Sequence, residues 1–424
     1  MAPMFEFMKK PNAVEEAVPL EAQIPRHREQ AGRHMASRAF LDGFSPLEKP
    51  ESLFESLRGD MNEQIIEQPQ AIDAIISALD RSHVRNDNDK RPIATLAFLG
   101  PTGVGKSQTA KVLSNSFGST DAKLLKIDCS NFSSGHEVAS LTGSPPGYVG
   151  RGQEPLLNKK NVEAFGTVVL FDEIEKGSSE LNNLLLQIME DGELRLNDGN
   201  VTSFRDAIII LTSNLGAKEL GMQMSSNSVG FGSHEAVTDT NILNKTATKA
   251  FEDYFPPEFS NRLDKLVVFH PLSPKGMAEV LAVKLNAVNA QYEDEYGIRI
   301  SLTDATIKHL VGVAHKQPHF GARPMVRAFE ESIQTTFGRY TGSEEVGEGT
   351  HIRVFHRDEF PEDYNHQDDR ELIFAAKTDE TIKRKVKTDV MVFTPPSIDK
   401  DIDDEADGSQ EMDPDDLSDS DPDA

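Results

Sequence analysis

At 424 residues the chain is long enough for two or three domains with sizeable cores, and 70 acidic against 44 basic side chains leave a net charge of −26. Such a charge repels nucleic acid and anionic membrane surfaces at long range, which excludes both as principal partners. A lone cysteine, Cys129, fits a reducing compartment, and with no run of about 18 apolar residues to span a bilayer the expectation is a soluble, cytoplasmic protein.

Residues 1–50 mix prolines, charges and short apolar pieces without a sustained period, and are expected to form a flexible extension. From Leu53 the pattern turns helical. Ile65, Ile66, Ala71, Ile72, Ala74, Ile75, Ile76 and Leu79 form an apolar stripe that stops before the polar stretch 85–91. An apolar run at 93–99 then breaks into Gly100, Pro101, Thr102, Gly103, Val104, Gly105, Lys106 and Ser107, followed by an amphipathic helix over 106–117. Further short apolar runs at 123–127, 167–171 and 207–211 alternate with helical patterns, which argues for a parallel sheet covered on both faces.

The sequence changes character at Pro271. Ser273 and Pro274 predict the cap and first turn of a helix running to about Tyr292, followed by a strand over 298–302 and a helix starting at Thr303 or Asp304. A last helix over 322–337 and strands near 351–355 and 371–374 complete a smaller unit. From Asp399 onward about half the residues are acidic and none is aromatic, a composition that cannot bury enough apolar surface to fold alone. The expected organisation is therefore an extension at 1–50, a large α/β domain at 51–270, a smaller, mainly helical domain at 271–376, which the resemblance described below makes a lid, and a disordered acidic tail at 377–424.

Gly100 to Ser107 fits G-x-x-x-x-G-K-[ST], the phosphate cradle of P-loop NTPases. Its glycines let backbone N–H groups converge on an anion, and the helix that follows turns its positive end to the same point. Lys106 is expected to reach the β and γ phosphates of ATP, and the Ser107 hydroxyl to hold Mg2+. Ile65 and Ile66 are expected to contact the nucleotide as well. The run Thr167 to Phe171 ends in Asp172 and Glu173, and hydrolysis needs one carboxylate to organise the Mg2+ shell and a second to orient and deprotonate water. Asp172 takes the first role and Glu173 the second. The next apolar run ends in Thr212, Ser213 and Asn214, placing a neutral amide near the γ phosphate. The twelve histidines show no metal-ligand spacing, so no site built from protein ligands alone is expected.

FLGPTGVGKS, VVLFDEIEKGSSELNNLLLQIMEDG, FRDAIIILTSNLG, PPEFSNRLDKLVVFHPLS and FGARPMVRA resemble the C-terminal ATPase module of the Clp unfoldases (ClpA, ClpB, ClpC), an AAA+ family, over residues 53–340. The resemblance implies a homo-oligomeric ring, a hexamer in the family, with nucleotide between subunits. It also implies that Arg262 is an arginine finger reaching a neighbour's ATP and that Arg323 is a second sensor carried by the small domain. Ser144 to Gly150 match a pore loop that grips extended polypeptide, which makes Tyr148, with Val149, the substrate-gripping residues; the following Arg151 to Pro155 depart from the family pattern. Val229, Gly230 and Phe231 resemble the short loop by which some members dock on a ClpP-like peptidase. The function this implies is ATP-driven unfolding of protein substrates threaded through a ring, feeding a peptidase and helped by an adaptor. The alternatives are a standalone disaggregase or remodelling chaperone and a nucleotide-switched assembly scaffold.

Overall fold

Two helices open the described chain because apolar residues recur three and four apart. α1 (Glu55–Gln64) buries Leu57 and Met61. α2 (Pro69–His83) starts on a proline, whose missing N–H costs nothing in a first turn, and buries Ala71, Ile72, Ile75, Ile76 and Leu79 along one face. The computed structural model describes residues 52–86, 88–143, 154–217, 240–317, 320–341, 348–360 and 371–378.

In chain order there follow β1 (Ala94–Leu99), α3 (Lys106–Ser116), β2 (Leu124–Asp128), α4 (Gly135–Thr142), α5 (Lys159–Val162), β3 (Thr167–Asp172), α6 (Ser179–Asp191), β4 (Glu193–Arg195), β5 (Val201–Ser203) and β6 (Ala207–Ser213). After them come α7 (Thr240–Tyr254), α8 (Pro257–Asn261) and β7 (Lys265–Val268). Five of the strands form one parallel sheet in the order β2-β3-β6-β1-β7. β1 and β6 are buried throughout and β3 as far as Phe171, which is why they read in the sequence as unbroken apolar runs. Leu99 pairs with Ser213, and Phe171 with Leu211, so the carboxyl ends of β1, β6 and β3 reach the same edge side by side. Chain order and sheet order disagree around β1, and a ligand site belongs at the carboxyl ends beside such a reversal.

Two apolar clusters among the described residues bear on the site. One runs from Ala97 to Val268 around the parallel sheet. The other runs from Leu272 to Leu372 and is built by α9 (Pro274–Tyr296), β8 (Arg299–Leu302), α10 (Asp304–His315), α11 (Arg323–Ala328), α12 (Thr335–Thr341), β9 (Thr350–His356) and β10 (Leu372–Thr378). There β8 pairs parallel to β9, and β9 antiparallel to β10. No helix of the described residues is long and apolar enough to cross a membrane.

Three elements differ from the sequence-based expectation. The β4–β5 ladder is antiparallel and only three residues deep, too short to show a period. α9 outruns its expected end at Tyr292 and stops at Gly297, whose φ of 65° turns the chain and whose N–H donates to the Glu293 carbonyl at 3.0 Å. The helix expected over 322–337 is not uniform: a π turn (Phe329–Gln334), in which Phe329 and Ile333 are buried, separates α11 from α12.

Candidate functional site

The loop between β1 and α3 is shaped by its glycines. Gly103 and Gly105 take φ of 77° and 104°, values that a side chain resists. Gly103 is also crowded: a Cβ there would fall 2.1 Å from the Phe320 carbonyl oxygen. The segment before α11 therefore lies directly on the phosphate loop, and the Ala322 N–H donates to the Gly103 carbonyl at 3.1 Å.

Lys106, first residue of α3, is 8% exposed. Its ammonium donates to the carbonyls of Gly100 (2.5 Å) and Pro101 (2.7 Å) and to Asn214 Oδ1 (2.9 Å). Burial pushes its pKa down to about 8, and the carboxylates of Glu175, Asp172 and Glu173 oppose that shift. A buried cation held by neutral oxygens beside a glycine-lined loop is suited to exchange those oxygens for phosphate oxygens.

Asp172 ends β3 at the same edge. Ser107 Oγ donates to its carboxylate at 3.2 Å, the Thr212 hydroxyl donates to its Oδ1, and Lys126 Nζ lies 2.7 Å from its Oδ2. Burial raises the Asp172 pKa, but Lys126, Thr212 and Ser107 outweigh it, so the carboxyl sits below its ordinary value and stays ionised. A hydroxyl and an ionised carboxylate are hard oxygen donors of the kind Mg2+ takes when phosphates complete its shell.

Glu173 follows with φ of 59°, a left-handed backbone that a glutamate adopts only when its surroundings impose it. Its N–H donates to Thr212 Oγ1 at 3.1 Å, which fixes the turn. Its carboxylate accepts from Asn214 Nδ2 at 3.2 Å and from Lys176 Nζ at 2.5 Å. The Asn214 amide thus bridges Lys106 and Glu173, a consequence of β6 lying between β1 and β3. Three contributors escaped the sequence reading. Thr212 serves Asp172 and Glu173 at once, Lys126 reaches over from β2, and Glu175 accepts the Asn214 N–H at 3.1 Å while its own carbonyl accepts from Tyr254 at 2.5 Å. None of the three carries a motif.

A cavity of about 1100 Å³ opens beside this edge, lined by the phosphate loop, Asp172, Glu173 and Asn214 and also by the apolar side chains of Ile65, Ile66, Leu272, Val280 and Phe320. An apolar end next to a polar, cationic end suits a nucleotide, base and phosphates respectively. Residues 91–266 match the family model described as AAA domain (Cdc48 subfamily), and residues 272–354 the one described as C-terminal, D2-small domain, of ClpB protein. The chain carries a Clp-type AAA+ module. It is 36% identical over 301 residues to the ATP-dependent Clp protease ATP-binding subunit ClpC of Staphylococcus aureus strain USA300, and equally to that of strain NCTC 8325 / PS 47. The ClpC of Staphylococcus saprophyticus is 34% identical over the same length. Each match covers 71% of this chain and 36% of the relative, so the chain spans about a third of the length of these curated relatives.

Within the Clp-type module the two arginines sit differently. Arg323, first residue of α11, lines the cavity next to Ala322, whose N–H donates to Gly103 of the phosphate loop. Arg262 follows α8 on the surface, is not among the residues lining the cavity, and donates to Glu190 Oε1 of α6 at 2.7 Å. Tyr148, Val149, Val229, Gly230 and Phe231 lie outside the described residues, as do residues 1–50 and the acidic tail from 379.

Proposed function

We propose that this chain is a ring-forming ATPase subunit that unfolds protein substrates by threading them through a central pore. The observation that carries the reading is the junction of three strand ends, where Lys106 donates to Asn214, Asn214 to Glu173 and Ser107 to Asp172, all on the wall of one cavity. In this reading the loop N–H groups and Lys106 bind the phosphates, Ile65 and Ile66 face the base, and Arg323 approaches the phosphates from the lid. Ser107 and Asp172 would hold Mg2+, which when bound neutralises charge on the phosphate oxygens. Glu173 orients the attacking water and takes its proton, with Asn214 holding the carboxylate in place. Arg262 acts on the nucleotide of the neighbouring subunit, which accounts for its position outside its own cavity.

The threading half of the proposal rests on the likeness to Clp ATP-binding subunits. Tyr148 and Val149 grip the polypeptide, and Val229, Gly230 and Phe231 dock the ring on a ClpP-like peptidase. Steady-state ATPase measurements on the wild type and Glu173→Gln test the first half: equal rates would end it. For the second, Tyr148→Ala should keep ATPase activity and lose unfolding of a tagged fluorescent protein. Deletion of 229–231 should abolish degradation with added peptidase while sparing the ATPase, and unchanged degradation would favour a standalone disaggregase.

A further inference from the structure

Among the described residues only two other than glycine have a positive φ, Glu173 at 59° and Glu67 at 56°. The first belongs to the hydrolytic centre. Glu67 lies outside it, in the turn between α1 and α2, immediately after Ile65 and Ile66 on the cavity wall. A side chain in a left-handed turn persists where the surroundings hold it.

Those contacts all reach the segment where the second apolar cluster begins. The Glu67 carboxylate accepts the Ser273 N–H at 2.8 Å and the Ser273 hydroxyl through its other oxygen. Ser273 is the N-cap of α9, and its Oγ accepts the Gly276 N–H at 3.0 Å. A carboxylate at that end is also favoured by the dipole of a 23-residue helix. Gly276 lacks the side chain that would interfere: a Cβ there would lie 2.3 Å from Glu67 Oε2. Next to it, the Gln68 amide bonds reciprocally to His270, donating to its carbonyl at 2.8 Å and accepting its N–H at 3.1 Å. Residues 67–68 are therefore fastened to 270–273 across the connection between Val268, last of the first cluster, and Leu272, first of the second.

We infer that Glu67 is a latch: a positioning residue that fixes the start of α9 against the turn carrying Ile65 and Ile66, so that closure of the lid and contact with the nucleotide base occur together. Leu272 and Val280 line the same cavity as Ile65 and Ile66, and Val280 belongs to α9, so their separation from the two isoleucines is held only while the latch is made. The inference rests on the nucleotide reading of the cavity. Glu67 itself touches neither the base nor the phosphates.

Glycine at position 67 separates the latch from an ordinary turn, because Glu67→Gly relieves the backbone and removes the carboxylate at once. Isothermal titration of the full-length chain with ADP should show affinity weakened about fivefold in Glu67→Gly, the lower end of a usual coupling between sites. Gly276→Ala, which displaces the carboxylate, should reproduce the loss, and Glu67→Gly with Ser273→Ala should be no weaker than the worse single variant. A Glu67→Gly protein that binds ADP as tightly as wild type and melts higher would overturn the latch. A thermal-unfolding cycle of Glu67→Ala and Ser273→Ala without nucleotide tests the contact by itself: coupled losses support it, and additive losses refute it. Failure of the wild type to bind ADP would defeat the nucleotide reading, and the nucleotide-free cycle would still decide whether the contact exists.

Discussion

The edge of the parallel sheet and the surface around Arg262 present polar groups of the same kinds and treat them in opposite ways. At the sheet edge Lys106 is 8% exposed, and each functional group is held by two or three partners. At Arg262 a single ion pair to Glu190 joins two side chains that are 40% and 50% exposed. Exposed pairs of that sort contribute on the order of 0–1 kcal/mol, so Arg262 is free to exchange partners. The difference teaches that the groups at the sheet edge are braced by several of the chain's own side chains, whereas Arg262 is tethered by one exposed contact.

The largest expected effect tests the loose end. Arg262→Ala should lower steady-state ATPase activity by roughly 10³-fold or more, while each subunit still binds ADP. Mixing it with Glu173→Gln subunits should restore part of the rate, because some boundaries then pair an intact arginine with an intact glutamate. No recovery across all mixing ratios would place the arginine's action within its own subunit. At the sheet edge, Glu173→Gln should cost about 10²–10⁴ in turnover with ADP affinity held, which a titration beside the rate assay checks. Loss of binding instead would mean that the carboxylate supports the pocket rather than the chemistry.

Thr212→Val removes the donor to Asp172 and the acceptor for the Glu173 N–H together. Leaving the Glu173 N–H unpaired and Asp172 one donor short should cost about 1–3 kcal/mol of stability, visible as a lower midpoint in thermal unfolding without nucleotide. The burial of Lys106 gives a pH signature. Its folded pKa of about 8 lies below the ordinary 10.5, and a bound phosphate favours the charged form. ADP affinity should therefore be level below pH 8 and fall above it, by up to about tenfold per unit. In the same window the nucleotide-free protein should gain stability with rising pH, since the unfolded chain binds the proton more tightly than the folded one. Affinity that stays flat to pH 9.5 would show the lysine to be unperturbed. The smallest effect belongs to the surface: Glu190→Gln should change stability by less than about 0.5 kcal/mol.

Residue spacing made the centre legible where chemistry and backbone coincide. Gly100 to Ser107 must be contiguous, because successive N–H groups of one loop surround one anion, and Asp172 and Glu173 follow an apolar run that can only be a buried strand. The separate strand ends could be named, but not their order across the sheet. That order puts Asn214 between Lys106 and Glu173, and lets Thr212 bond to both acidic residues. Lys126, Glu175 and Glu67 stayed invisible because their partners lie 46, 39 and 206 positions away in the chain, at Asp172, Asn214 and Ser273. Likewise, the apolar period over 322–337 predicted a helix and could not show the π turn, which changes the backbone hydrogen bonding and leaves the apolar pattern as it was.

The sequence by itself determined the phosphate loop, the alternation of strands and helices, the acidic pair after β3 and the change of character at Pro271, because each is written in neighbouring residues. Tertiary structure alone decided which strand ends adjoin, which side chains brace the two carboxylates, and how the turn at Glu67 meets the cap of α9. Those outcomes depend on hydrogen bonds between distant segments, whose strength is set by geometry at the point of contact rather than by residue type.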